Sequence, residues 1–179
     1  MDLLSDTPSN KIVLVLMKEN QYEKKLALVV KNLGTENYVC YVCLSRPYTS
    51  IVSYLEERGI NIGKFVFIDV LASHYQTPAP SPNCIYLKSP DKLEDIQEAI
   101  SKCVQERSCK AIIFDTISSL LMYQQNFEVI KFTHQITTEE MHQDINKIFL
   151  VLKESKMLDN YSDSFIKDLQ MFANKTLEI

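Results

Sequence analysis

The sequence predicts a three-layer α/β/α domain built on a mainly parallel central sheet. Short and almost continuous apolar runs occupy residues 11–17, 38–44, 65–69, 84–87, 111–115 and 148–152. Strands that are covered on both faces have this composition, because no position along them meets water. Helical patterns separate the runs, and strands that alternate with helices are typical of βαβ units in a parallel sheet.

The segments between these runs repeat their apolar residues three and four positions apart, as amphipathic helices do. Gly34 is placed to end the first helix, and Pro47 is placed to open the second. Ser89 and Pro90 have the residue types of a helix start, with Ser as the cap and Pro in the first turn. The last pattern covers residues 165–177 and predicts a C-terminal helix.

Composition and charge are those of an ordinary globular domain. The chain has 179 residues, of which 46% are hydrophobic and 23% are charged. We expect a short N-terminal tail over residues 1–10 and a single domain over residues 11–179. The net charge of −4 and the lack of a Lys/Arg run argue against a nucleic-acid partner. No apolar run approaches the roughly 20 residues of a membrane span, and the N-terminus lacks a secretory pattern, so we expect a cytoplasmic protein with no membrane partner.

The spacing of the cysteines and histidines does not predict a metal or redox site. Cys40 and Cys43 form a C-x-x-C motif, which occurs in redox and zinc sites. They lie within a predicted strand, however, and residues three apart on a strand point to opposite faces. We therefore interpret them as buried structural cysteines of a reducing compartment. Metal-ligand spacing is also lacking among His74, His134 and His142.

The residues after the first predicted strand exclude a phosphate-binding loop. Such a loop needs glycines, which let backbone N–H groups approach the phosphates, followed by Lys and then Ser or Thr. The chain has three glycines, and none of them lies within residues 17–23: Gly34, Gly59 and Gly63. The same lack of glycine excludes the dinucleotide-binding pattern G-x-G-x-x-G.

Ligands of parallel sheets bind beyond the carboxyl ends of the strands, and several polar residues are predicted to lie there. A nucleotide or small-anion pocket at this edge would be formed by Lys18, Tyr22, Arg46, Asp115 and Ser118. In such a pocket Tyr22 would stack on a base and Arg46 would face an anion.

Asp115 follows four apolar strand residues and allows three interpretations. It could hold a magnesium ion through water, as the acid at the end of a strand does in phosphoryl-transfer enzymes. It could instead cap the next helix together with Ser118. It could also form an acidic metal pair with Asp69, which ends another strand. Neither acid has a neighbouring His or second acid, so we predict no metal site, and Asp115 is the residue that a magnesium ion would use.

The order of these features resembles that of a known superfamily. The most specific part is the segment 112–120, in which Asp115 ends an apolar strand and is followed by Thr, Ser and Leu at fixed positions. This is similar to the pattern of strand, Asp, Ser or Thr, x, Ser, x, Leu in the RecA/KaiC-like ATPases related to RadA. The resemblance extends over residues 10–179 and is greatest to archaeal stand-alone domains that have lost catalytic motifs. It implies the P-loop type of α/β/α fold.

The departures from the family pattern bear on function. The family's phosphate loop would fall at residues 17–23, where this chain has no glycine. Active members carry Glu after the second strand to activate water, and this chain has Ser45 and Arg46 there. Only Asp115 is retained. The resemblance therefore implies a domain without ATPase activity and without a bound ATP or magnesium cofactor.

Three functions remain open at this point. The first is a catalytically inactive, regulatory module that acts in signal transduction by binding a protein partner or a second copy of itself. Its candidate surfaces are the C-terminal helix and residues 123–142. The second is a nucleotide or small-anion sensor that binds without hydrolysis. The third is an enzyme of another α/β family, such as a transferase, which the lack of glycine after the first strand disfavours.

Overall fold

A seven-stranded sheet organises the computed structural model, which describes residues 12–31, 33, 36–140, 143–153 and 162–179. The strands are β1 (Ile12–Lys18), β2 (Val39–Cys43), β3 (Phe65–Asp69), β4 (Cys84–Tyr86), β5 (Ala111–Asp115), β6 (Asn146–Lys153) and β7 (Lys175–Glu178). Their order across the sheet is β4-β3-β2-β5-β6-β1-β7, and every neighbouring pair is parallel.

Helices cover both faces of this sheet. They are α1 (Tyr22–Val30), α2 (Tyr48–Glu57), α3 (Ala72–Tyr75), α4 (Leu93–Arg107), α5 (Asn126–Thr138) and α6 (Ser162–Phe172). One apolar cluster joins the sheet to α1 and α2, and a second cluster joins the other face to α4, α5 and α6. The predicted three-layer α/β/α architecture is therefore confirmed.

The central strands form because they have no polar face. Every residue of β2, β3 and β5 is buried. Side chains alternate between faces along a strand, so Cys40 enters one apolar cluster and Cys43 enters the other. The two cysteines point to opposite faces, as their spacing predicts, and both are buried free thiols.

The prediction for the C-terminus is wrong beyond residue 172. Helix α6 ends at Phe172, and the following residues form β7, which pairs with β1 in parallel from Val13 opposite Lys175 to Leu16 opposite Glu178. Asn174 fixes this edge, since its side-chain Oδ1 accepts a hydrogen bond from the backbone N–H of Ile12 at 3.0 Å. Apolar residues over so short a stretch satisfy helical and strand spacing equally well, and pairing with the open edge of β1 favours the strand.

The predicted start of the fourth helix is also wrong by a few residues. Helix α4 begins at Leu93, and Pro90 lies in the turn before it. The Ser89 hydroxyl donates to the Asp91 carboxylate instead of capping the helix backbone. The predicted helix end at Gly34, the N-terminal tail, and Met141 and His142 lie outside the described residues.

In the part of the chain that the structure describes, none of the helices combines the length and the apolar composition that crossing a membrane would require.

Removing a central aromatic ring tests the packing of the sheet face that α4, α5 and α6 cover. The Phe114 and Phe149 rings are stacked with centroids 4.6 Å apart, and Phe114 has no exposed surface. We expect Phe114→Ala to lower the free energy of unfolding by about 3–5 kcal/mol, because it removes buried surface and leaves a cavity. Urea denaturation followed by circular dichroism measures this. Phe127→Ala is the control, since that ring is 70% exposed, and an equal loss in the two variants would contradict the assignment of the core.

Candidate functional site

The candidate site lies at the carboxyl ends of β2 and β5, which are adjacent in the middle of the sheet. The pairing places Asp115, the last residue of β5, opposite Cys43, the last residue of β2. The chain then continues from β2 across the end of β5, where the backbone N–H groups of Leu44 and Ser45 donate to the Asp115 carbonyl at 2.8 and 2.9 Å. These bonds hold Arg46 near the Asp115 side chain.

The Asp115 carboxylate is completely buried, and both of its oxygens accept hydrogen bonds from tyrosines. Oδ1 accepts from the hydroxyl of Tyr22, the first residue of α1, and Oδ2 accepts from the hydroxyl of Tyr41 at 2.5 Å. Tyr41 lies two residues before Cys43 in β2, so its side chain points to the same face of the sheet. The peptide bond from Asp115 to Thr116 is cis.

Arg46 packs over the Tyr22 ring, beside the bond from Tyr22 to Asp115. Its guanidinium carbon lies 5.1 Å from the centre of the Tyr22 ring and 4.7 Å from that of Tyr54, distances at which a cation is attracted to an aromatic face. Nη1 contacts the exposed Glu23 carboxylate at 3.5 Å. Nε and Nη2 are buried and have no hydrogen-bond partner among the described residues. We call Tyr22, Tyr41, Arg46 and Asp115 the tyrosine–aspartate cluster.

Burial controls protonation in this cluster. It raises the pKa of the Asp115 carboxyl above its ordinary value, although the hydrogen bonds from Tyr22 and Tyr41 and the charge of Arg46 act in the opposite direction. Burial, followed by the negative charge of Asp115, raises the pKa of both tyrosines well above the usual range. Both hydroxyls therefore keep their protons and act as donors to Asp115 at neutral pH.

The structure brings together three of the five residues of the predicted pocket, namely Tyr22, Arg46 and Asp115. The Tyr22 ring packs against the Arg46 guanidinium. Ser118 is turned toward β6, where its hydroxyl accepts from the backbone N–H of Leu152 at 3.3 Å. Lys18 ends β1 and lines a separate cavity of about 200 Å³ beside the described end of β7.

The interpretation of Asp115 as a helix cap is wrong. The chain after β5 forms a 3-10 helix over Ile117–Met122, which begins after Thr116 without a side-chain cap. The two Asp115 oxygens are engaged by tyrosine hydroxyls from other elements.

Asp69 has a different structural role from Asp115. Its carboxylate accepts three backbone hydrogen bonds, from Tyr48 at 2.7 Å, Leu71 at 2.8 Å and Ala72 at 2.9 Å, and so fixes the starts of α2 and α3. β2 lies between β3 and β5, so two strand spacings, roughly 9.6 Å, separate the backbones that carry the two acids. Across the described residues, no group of three or more His, Cys, Asp or Glu side chains is arranged to hold a metal ion.

Tyr41 is the site residue that sequence reasoning missed. A tyrosine inside a buried strand has the pattern of a core aromatic, and its ring does pack against Phe67 at 5.4 Å between centroids. The sequence does carry one signal, the Tyr41 hydroxyl, because a buried tyrosine O–H normally has a hydrogen-bond partner. The partner comes from a strand that is distant in sequence, so single-strand patterns do not reveal it.

Comparison with solved structures identifies the fold that carries this site. No protein-family model matches the chain, and no curated protein matches its sequence. One solved structure that resembles it is a KaiC-like protein from the hyperthermophilic archaeon Pyrococcus horikoshii, 12% identical over 94% of this chain and 71% of that one, with a TM-score of 0.65. Another is an uncharacterised P. horikoshii protein solved in complex with an unknown peptide, 13% identical over 94% of this chain and 77% of that one, with a TM-score of 0.69.

The chain has a RecA/KaiC-like fold. The resemblance to the RecA/KaiC-like ATPases predicts that a phosphate loop would follow β1. Here β1 runs directly into a 3-10 turn over Glu19–Gln21 and then into α1, whose first residue is Tyr22. The tyrosine–aspartate cluster thus joins the first residue of α1 to the acid at the end of β5.

Tyr41→Phe tests the hydrogen bond to Asp115 with little change in volume. The variant leaves a fully buried carboxylate oxygen without a donor, so we expect the free energy of unfolding to fall by about 1–3 kcal/mol. Tyr38→Phe is the control, since the Tyr38 side chain is 37% exposed. Urea unfolding of the two variants checks the expectation, and equal stability of both would mean that the Tyr41 hydroxyl does not stabilise the fold.

Asp115→Asn tests the raised pKa of Asp115. The folded protein holds this proton at pH values where the unfolded chain has released it. The contribution of the protonated carboxyl to stability is therefore complete below the ordinary pKa of 3.8 and decreases as the pH rises toward the raised folded-state pKa. We expect the stability difference, wild type minus Asp115→Asn, to fall with rising pH in this window. Urea unfolding at a series of pH values measures it, and a difference that rises would contradict the assignment.

Proposed function

We propose that this chain is a RecA/KaiC-like domain that does not hydrolyse ATP and acts in regulation by binding another protein chain. The observation that carries the proposal is the state of Asp115. Its two carboxylate oxygens are buried and accept hydrogen bonds from Tyr22 and Tyr41.

A magnesium site at Asp115 would have to replace these bonds. Magnesium keeps several water molecules and requires nearly octahedral oxygen geometry, so a carboxylate that serves it must face an open, hydrated space. Asp115 has no exposed surface, and the Tyr22 and Tyr41 hydroxyls occupy its two oxygens. Binding a hydrated ion there would require both tyrosines and the overlying Arg46 to move.

The phosphate and water positions also lack their usual groups. The turn at Glu19–Gln21 has no glycine and presents an acid, which repels phosphate. After β2 the chain has Ser45 and Arg46 in place of a glutamate that could activate water. These substitutions support a domain that retains the fold and has lost the reaction.

Exposed apolar side chains beside the cluster support a protein-binding role. A cleft of about 490 Å³ opens at the carboxyl edge of the sheet, with Leu44 and Leu152 among its buried lining residues. Tyr75 and Met122 also line it and are 76% and 60% exposed. Adjacent exposed apolar groups at a concave surface are typical of sites that bind another chain. One of the solved structures that this chain resembles holds a peptide, which makes a peptide segment a reasonable occupant.

A second candidate function is a sensor of nucleotides or small anions. The observation that favours it is the guanidinium of Arg46, whose Nε and Nη2 are buried without a hydrogen-bond partner among the described residues. An anion that reached Nε or Nη2 would satisfy donors that are otherwise unused. Arg46 is thus the residue through which this alternative would act.

Nucleotide addition separates these candidates. A ligand present at about a hundred times its dissociation constant adds about 2.7 kcal/mol to stability, which a thermal melt detects readily. We expect no change in Tm with ATP, ADP or GTP, with or without magnesium, and no release of phosphate from ATP. A shift that is lost in Arg46→Gln and kept in Arg46→Lys would favour the sensor. Turnover that is lost in Asp115→Asn would contradict the proposal.

Site-specific crosslinking tests the protein-binding role. A photo-crosslinking amino acid at position 122 lies beside the apolar cleft, and the same residue at position 127 occupies another exposed apolar position. We expect a discrete adduct, with the chain itself or with a partner in a cell extract, at position 122 only. Sedimentation of the purified protein identifies self-association. The same adducts at both positions, or none at position 122, would contradict the proposed surface.

A further inference from the structure

Two cysteine thiols meet at the turn that joins α4 to β5. Cys103 lies in the C-terminal part of α4, and Cys109 lies just before the start of β5. Their sulfur atoms are 3.7 Å apart, and the Cys109 thiol also donates to the backbone carbonyl of Cys103 at 3.6 Å. Both are free cysteines. The pair lies at the amino edge of the sheet, away from the tyrosine–aspartate cluster at the carboxyl edge, so its chemistry is independent of the proposed function.

The backbone of the turn brings the two side chains together. Ser108, the residue after α4, has a φ of 51° in the left-handed region, a conformation that commonly ends a helix and redirects the chain. Lys110 then anchors the other side of the turn, because its backbone N–H donates to the Tyr38 carbonyl at 2.9 Å. The main chain therefore keeps Cys103 and Cys109 side by side.

A small movement is enough to bond these two sulfurs. A disulfide bond is about 2.05 Å long, so the sulfurs must approach each other by roughly 1.6 Å. Cys109 belongs to a turn and has room to adjust. Cys40 lies in the same apolar cluster, but it belongs to β2, which is paired on both sides with β3 and β5. The pair that can close is therefore Cys103 with Cys109.

The two thiols are buried directly beneath the protein surface. Cys103 and Cys109 are 1% and 2% exposed, whereas residues 105–108 and Lys110 are exposed. The hydrogen bond with Cys103, together with burial, raises the pKa of the Cys109 thiol well above its usual range, so the closed turn holds the thiol in its unreactive, protonated form. Helix ends open locally more often than the central strands of a sheet. Opening of this turn exposes Cys109 to small oxidants and allows it to ionise.

We propose that Cys103 and Cys109 form a reversible disulfide in response to peroxide, and that this bond fixes the turn between α4 and β5. The Cys109 thiolate attacks one peroxide oxygen, the O–O bond breaks, and the products are a sulfenic acid at Cys109 and one water. The Cys103 sulfur then attacks the Cys109 sulfur, and the sulfenic hydroxyl leaves with the Cys103 proton as a second water. The two sulfurs lose two electrons, and hydrogen peroxide gains them. A thiol reductant reverses the bond by exchange.

Peptide mapping without reductant tests whether this bond forms. The full chain is reduced, separated from the reductant, treated with hydrogen peroxide and alkylated in denaturant. Trypsin cleaves after residues 102, 107 and 110, so the disulfide joins the peptides 103–107 and 108–110. We expect the joined peptides to be the main oxidised product and a thiol reductant to separate them. Free thiols in both peptides, irreversible oxidation of either sulfur, or a disulfide through another cysteine would overturn the proposal.

Serine variants test whether the bond fixes the turn. Cys103→Ser and Cys109→Ser are each expected to abolish the joined product, and Cys84→Ser, which removes a less buried thiol, is expected to keep it. We expect the oxidised wild type to melt about 4 °C or more above the reduced protein, because a crosslink restricts the unfolded chain. Melting of the reduced variants checks that they are folded. No rise in Tm on oxidation, or the same rise in Cys109→Ser, would show that the disulfide does not stabilise the turn.

Discussion

The buried carboxylate of Asp115 is the constraint on which the centre of this molecule depends. Burying a carboxylate away from water costs free energy unless it receives hydrogen bonds. Here the donors are the hydroxyls of Tyr22 on α1 and Tyr41 on β2. The first helix, the second strand and the fifth strand therefore meet at one side chain. Any change that withdraws a tyrosine leaves a buried acceptor unpaired, which costs more than the bond itself contributes.

Under the proposed function, the same interaction accounts for a RecA/KaiC-like fold that is kept without its usual chemistry. Catalysis of phosphoryl transfer depends on positioned phosphates and a hydrated metal ion at the carboxyl edge of the sheet. In this chain Tyr22 approaches Asp115 from the start of α1, and Arg46 packs over the Tyr22 ring. The Tyr22, Arg46 and Asp115 side chains, which would line a ligand pocket, therefore contact one another. Exposed aromatic and apolar side chains also lie at this edge, and among them Tyr75 is 76% exposed and Met122 is 60% exposed.

The sequence was sufficient to predict the layers of the fold but not the contents of the site. Continuous apolar runs such as β5 have one physical interpretation, burial on both faces, and the structure agrees. The end of the chain was ambiguous, because Leu177 fits helical and strand spacing alike. Asp115, Tyr22 and Arg46 were found because they lie at the ends of elements. Tyr41 was not, because its role depends on the pairing of β2 with β5, and strand order is not encoded in local patterns.

The central claim is that Asp115 is closed to metal, and paramagnetic NMR measures this directly. Mn²⁺ can replace Mg²⁺ beside ATP and broadens the resonances of nuclei that lie close to it, with Mg²⁺ as the diamagnetic reference. We expect the signals of Tyr41 and of Asp115 and its neighbours in β5 to keep their linewidths when Mn²⁺ and ATP are added. Selective broadening centred on Asp115, and absent from Asp115→Asn, would contradict it.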